Sequence, residues 1–140
     1  MPAAISNPNA RPQPVVLLVE DHEDTRQMYA EFLGMSFDVI CAADGETGLA
    51  RLRERRIDLV ITDLSLPGMD GFELVAAIRE DVVLRPIPIV CLSGYGGLAL
   101  EQRARAAGCD RILQKPCMPD ALADVATELL GGIGDRSSNS

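Results

Sequence analysis

Apolar residues in this chain follow two alternating patterns: short runs of strand length, and longer stretches in which they recur every three or four positions. The runs cover residues 15–19, 37–41, 57–63, 87–92 and 111–114, are rich in Val, Ile and Leu, and read as β-strands. Between them lie helical patterns. Residues 23–33 place Met28, Tyr29, Phe32 and Leu33 at helical spacing, with acidic residues in the first turn and Gly34 as a stop. Asp44-Gly45 opens a second helix with Leu49 and Leu52 inward and Arg53, Arg55 and Arg56 as surface residues near its end. Asp70 begins a third with Glu73 three residues on, the spacing of a capping box, and Leu74, Val75 and Ile78 as its buried face. A fourth, rich in Ala, Leu and Arg, runs to about Ala107 and stops at Gly108. Pro119 starts the last, with Leu122, Val125, Leu129 and Leu130 inward and Gly131-Gly132 as its predicted end.

Five strands alternating with five helices imply an α/β fold with a parallel sheet and right-handed crossovers. The proline-rich residues 1–14 read as a disordered leader, 15–131 as one domain and 132–140 as a flexible tail. So short a tail predicts a stand-alone module.

Composition narrows the function classes. At 140 residues, 47% hydrophobic and 24% charged, the chain can bury a core without metal or disulfide support. A net charge of −8 argues against a nucleic-acid-binding surface. No apolar run approaches the about 20 residues of a membrane helix, and no signal peptide precedes the first strand. Cys41, Cys91, Cys109 and Cys117 form no CxxC pair. Cys41 and Cys91, in apolar runs, read as buried thiols, which predicts a reducing, cytoplasmic setting.

Polar residues then collect where strands end. Glu20-Asp21 follows the first run, Asp63 ends the third, Ser93 the fourth, and Lys115 the fifth. Open parallel sheets bind ligands outside the carboxyl ends of their strands, so these five side chains are candidates for one site. Three neighbouring carboxylates repel one another unless they share a cation, and a few carboxylate oxygens with room for water suit Mg²⁺. Each residue alone has a simpler use: Asp63 as a helix cap, Ser93 as a turn former, Lys115 as a solvated surface charge. His22, the only histidine, reads as a helix-start residue.

Val19-Glu20-Asp21, residues 62–71 (TDLSLPGMDG), Leu92-Ser93-Gly94 and Gln114-Lys115-Pro116 together resemble the receiver domains of two-component response regulators, over roughly residues 15–130. The resemblance implies a flavodoxin-like doubly wound (βα)5 fold with strand order 2-1-3-4-5. It makes Asp63 the phosphoryl acceptor, gives Mg²⁺ to Glu20, Asp21, Asp63 and the backbone carbonyl of Ser65, and aims Ser93 and Lys115 at phosphoryl oxygens. It further implies a cis Lys115-Pro116 bond. The phosphoryl donor would be a sensor histidine kinase, a histidine phosphotransfer protein or a small acyl phosphate. Output would be phosphorylation-dependent binding to a downstream protein, with a phosphorylation-dependent homodimer also within the family's range, and no direct binding to nucleic acid or membrane. Catalysis would be limited to the protein's own phosphoryl transfer and autodephosphorylation.

Two positions depart from the family. Ile112 stands where an aromatic usually rotates in concert with Ser93, and Cys117 replaces a frequent aromatic after Lys-Pro. Tyr95, two residues past Ser93, is a candidate substitute. Two other classes fit less well. A phosphohydrolase of the haloacid dehalogenase type needs a second Asp where Ser65 stands, and a nucleotide or flavin binder needs glycines where residues 20–24 are acidic.

Overall fold

The computed structural model describes residues 13–94 and 97–139, the side chains of 132–139 excepted. Elements alternate as the pattern predicts: β1 (Val15–Val19), α1 (Glu23–Leu33), β2 (Asp38–Ala42), α2 (Gly45–Glu54), β3 (Leu59–Asp63), α3 (Gly71–Glu80), β4 (Ile89–Ser93), α4 (Gly97–Ala107), β5 (Arg111–Gln114) and α5 (Pro119–Asn139). All strand pairs are parallel, in the order β2-β1-β3-β4-β5. The predicted leader lies, up to residue 12, outside the described residues.

Helix starts follow local chemistry. His22 Nδ1 accepts from the Thr25 N–H, Asp44 caps α2 through Thr47 N, and Asp70 with Glu73 forms a complete capping box on α3. His22 is therefore a cap, as its position suggested. The last helix differs from expectation, because α5 continues through Gly131-Gly132 to Asn139. Glycine weakens a helix by about 1 kcal/mol relative to Ala but does not forbid it, and no proline follows to end it.

Alternation along the strands builds two cores. Leu17 and Val19 of β1, Val60 of β3 and Ile89 and Cys91 of β4 face α2, α3 and α4. Val16 and Leu18, Leu59 and Ile61, and Val90 and Leu92 face α1 and α5, where Tyr29, Leu33, Leu122 and Ala126 cover them. Most of these side chains are fully buried, and each contributes about 1.5–3 kcal/mol of transfer free energy.

The cysteines correct two expectations. Cys91 is buried but is no thiol: it is joined to Cys109 by a disulfide, with the Cα atoms 6.4 Å apart. The loop before β5 returns beneath α4 to β4, a tertiary approach that an 18-residue spacing does not announce. Cys41 is a free thiol but an exposed one, because β2 is an edge strand. Burial of part of its surroundings still pushes this thiol's pKa up, against a lowering by Arg26. Buried cysteines therefore no longer argue for a reducing compartment. No helix among the described residues is long and apolar enough to cross a membrane.

Candidate functional site

Register brings the strand-end residues together. Val19 is paired with Thr62, so Glu20 and Asp63, each one step further, leave the sheet side by side. Ser93 is paired with Gln114, which sets Lys115 one step beyond Ser93. Side-chain alternation then sorts them. Glu20 and Asp63 continue the α1/α5 face of their strands, and Lys115 continues that of Leu113, whereas Ser93 continues the opposite face with Cys91.

The result is a compact charged trio. Lys115 Nζ lies 2.5 Å from Asp63 Oδ2 and 3.0 Å from Glu20 Oε1. The remaining carboxylate oxygens are held by backbone: Ser65 N–H donates to Asp63 Oδ1 at 3.0 Å, and His22 N–H to Glu20 Oε2 at 3.0 Å. Glu20 is 1% and Asp63 4% exposed, and burial of such polar groups is costly unless they are hydrogen-bonded, as both are here. Burial by itself would lower the pKa of Lys115. Hydrogen bonds and charge from Asp63 and Glu20 more than offset this and hold it above its ordinary value. The Lys115-Pro116 peptide is cis, as the resemblance implied.

Asp21 completes the acidic set. One oxygen from each of Glu20, Asp21 and Asp63 lies within 4.8 Å of the others. That spread is close to the diameter of an octahedral Mg²⁺ shell, about 4.2 Å from twice a 2.1 Å bond. Three carboxylates and one ammonium leave two negative charges, which a divalent cation balances. By donor type, spacing and charge, these residues fit the metal.

Ser93 sits at the opposite lip, nearly buried, and lines a shallow cleft with Ser65, Leu66, Phe72, Gly94 and Leu100. Its carbonyl accepts from Lys115 N–H at 2.7 Å, which joins β4 to the lysine loop. Ile112 is partly buried against the α3/α4 face, directly opposite Cys91 in the β5 register. Tyr95 lies outside the described residues. The structure thus gathers Glu20, Asp21, Asp63 and Lys115, sets Ser65 and Ser93 on the rim, and keeps Ile112 behind Ser93 on the far face.

Several supporting residues carry no obvious mark in the sequence. Arg26 donates to Glu20 O at 2.9 Å, and Tyr29 to Cys117 O at 2.7 Å, so α1 grips both ends of the trio. Gly71 lets α3 start against the end of β3: a Cβ there would meet Asp63 O at 2.4 Å and Leu64 Cα at 2.5 Å. Asp70 was legible as the start of a helix, but the close approach at Gly71 was not. Arg79 binds the carbonyls of Arg85, Ile87 and Gly108 and the Asp110 carboxylate, tying together the far ends of β4 and β5.

Comparisons with known proteins agree with this geometry. A family model described as the response regulator receiver domain matches residues 16–127. The polar-differentiation response regulator DivK of Brucella anthropi is 28% identical over 117 residues, 83% of this chain and 95% of that protein. The hybrid signal transduction histidine kinase D of Dictyostelium discoideum is 30% identical over 125 residues, 89% of this chain but only 8% of that protein. Among solved structures, the chemotaxis response regulator CheY4 of Vibrio cholerae superposes with a TM-score of 0.78 at 32% identity, covering 83% of this chain and 98% of that one. A CheY-like receiver domain protein from Methanospirillum hungatei gives 0.81 at 26% identity, covering 89% and 98%.

Proposed function

The chain belongs to the response regulator receiver domains of two-component signalling, and from that premise we propose that it is a stand-alone switch phosphorylated on Asp63. One observation carries the proposal: Asp63 is buried, held at one oxygen by the Ser65 N–H and at the other by Lys115, with Glu20 and Asp21 oxygens beside it. A carboxylate so fixed is positioned to attack phosphorus, and little else is asked of a protein in phosphoryl transfer than positioning and neutralisation of charge.

In the proposed step, an Asp63 oxygen forms a bond to the phosphorus of a phosphohistidine on a sensor histidine kinase or histidine phosphotransfer protein. The phosphorus–nitrogen bond breaks and the departing imidazole takes up a proton. Lys115 already stands at Asp63 Oδ2 to meet the incoming negative charge. Ser93 offers a hydroxyl donor from the rim. Mg²⁺, held by Glu20, Asp21, Asp63 and the Ser65 carbonyl, would neutralise the phosphoryl oxygens. Autodephosphorylation is the only other reaction we assign, with water as the acceptor.

The stand-alone reading is supported by the match across 95% of DivK, a response regulator of receiver size. Output to a downstream protein through α4, β5 and α5 follows the family, as do a cytoplasmic setting and the absence of nucleic-acid or membrane partners.

The test is incubation with acetyl phosphate and Mg²⁺, followed by intact-mass analysis. Wild-type protein should gain one phosphoryl group and Asp63→Asn none; equal labelling of the two would remove Asp63 as acceptor.

A further inference from the structure

The disulfide between Cys91 and Cys109 has no part in the chemistry above, yet it sits at the junction between the site and α4. Cys91 lies on β4 two residues before Ser93, on the same sheet face by alternation, and opposite Ile112 in the β5 register. Cys109 follows Gly108 at the end of α4, where φ is +121° and the helix cannot continue. The bond therefore closes a loop that contains Ser93 and the whole of α4.

Little else holds that helix. Ala104 is the one residue of α4 that is fully buried, with Leu100 and Ala107 partly so, while Leu98 is 69% exposed. Arg103 stacks on the Phe72 ring at 3.9 Å, and Arg79 Nε donates to the Gly108 carbonyl at 3.0 Å. These contacts lie near the surface. Among the described residues, the disulfide is the one side-chain cross-link between the strand that carries Ser93 and the end of α4.

We propose that Cys91 and Cys109 form a reversible thiol–disulfide couple that pins α4 to β4 when oxidised and frees α4 when reduced. Disulfides in reducing compartments are usually transient and redox-sensing, which suits a pair that joins β4 to the end of a weakly held helix. The reductant is a small cellular thiol. Its thiolate attacks the sulfur of Cys109, at 8% exposure the less buried partner, and the S–S bond breaks. Cys91 leaves as thiolate and takes a proton; a second donor thiol then releases Cys109 from the mixed disulfide. Two donor thiols become one donor disulfide, and the protein gains two thiols. A small disulfide such as oxidised glutathione reverses the sequence.

The consequence for signalling rests on the receiver function proposed above, but the tether itself does not. Hydrogen exchange by mass spectrometry on the full chain separates the two. After reduction by dithiothreitol, amides of α4 should exchange at least about tenfold faster than in protein oxidised with glutathione disulfide, with β1 and β3 unchanged. Cys109→Ala should match the reduced wild type and ignore the redox buffer; reduced wild type gives the same readout if that variant does not fold. Failure of the oxidised protein to form the bond, equal exchange in both states, or acceleration spread evenly over every element would each overturn the tether. Because Asp63→Asn keeps both cysteines, it should show the same redox response. A protein that passes this test but takes no phosphoryl group from acetyl phosphate keeps the tether and loses the receiver chemistry.

Discussion

The two faces of the sheet's carboxyl end are built to different standards. On the α1/α5 face, Glu20, Asp63 and Lys115 are fixed several times over: by strand register, by burial, and by a partner for each of the four oxygens of the two buried carboxylates. On the α4 face, Ser93 is followed at once by glycine, and the helix beyond it buries little more than Ala104. Rigid placement suits the phosphoryl-acceptor role proposed for Asp63, whereas a loosely held segment has room to move. On that face Ile112 stands where the resemblance led one to expect an aromatic, directly opposite the disulfide-bonded Cys91.

The largest effect should come from breaking the rigid face. Lys115→Met keeps the length of the side chain but leaves two buried carboxylates without their counter-charge. Losing one partner of a buried ion pair costs about 3–5 kcal/mol, and we expect about 4 here, since the side chain of Lys115 retains 26% exposure. Urea unfolding measures the shift in midpoint. Adding Mg²⁺ should return part of the loss in this variant, because the metal supplies the missing positive charge among Glu20, Asp21 and Asp63. An unchanged midpoint would show that the trio is solvated more than its burial implies.

The α4 face should respond less and differently. Cys109→Ala opens a loop whose ends are 18 residues apart, for which loop-closure entropy predicts about 3 kcal/mol of lost stability. Reductant should abolish the gap between this variant and wild type in the same urea titration, while leaving the Lys115→Met gap in place. If reductant narrows both gaps, the two faces are coupled and the contrast between them fails.

Most of the rigid face was legible in the sequence, and the reason is locality. Glu20, Asp63, Ser93 and Lys115 each end an apolar run, and a parallel sheet gathers all such ends at one edge. The caps at His22, Asp44 and Asp70 were legible for the same reason, since a cap acts within three residues. What escaped depends on tertiary approach. The pairing of Cys91 with Cys109 needs the path of the chain beneath α4, and the exposure of Cys41 needs β2 to be an edge. Gly71 carries no mark in the sequence beyond following the cap residue Asp70, yet its lack of a side chain lets α3 abut the carbonyl of Asp63. The continuation of α5 past Gly131-Gly132 shows the opposite error, a permissive residue taken as a stop.

The smallest effect tests how far the rigid face extends into α1. Tyr29 is buried on that face and donates to the Cys117 carbonyl, so Tyr29→Phe should cost about 1 kcal/mol at neutral pH, the usual net worth of such a bond. Its hydroxyl also titrates. Desolvation pushes the Tyr29 pKa up; the Cys117, Glu20 and Asp63 charges act in the same direction and Lys115 opposes them. A group whose folded pKa is raised lends stability below its unfolded pKa, about 10 for tyrosine, and loses it as pH rises through the folded value. Wild-type stability should therefore fall from about pH 10 upward, and Tyr29→Phe should fall less steeply over that window. Lys115, also raised, supplies a remaining decline in the variant, and the raised Cys41 and Cys117 thiols contribute theirs from lower pH in both proteins. The two stability curves should thus converge as the pH climbs beyond 10. Parallel curves across that range would mean that Tyr29 ionises in the folded protein as it does in water, and that the tightly held face ends at Glu20 rather than reaching into α1.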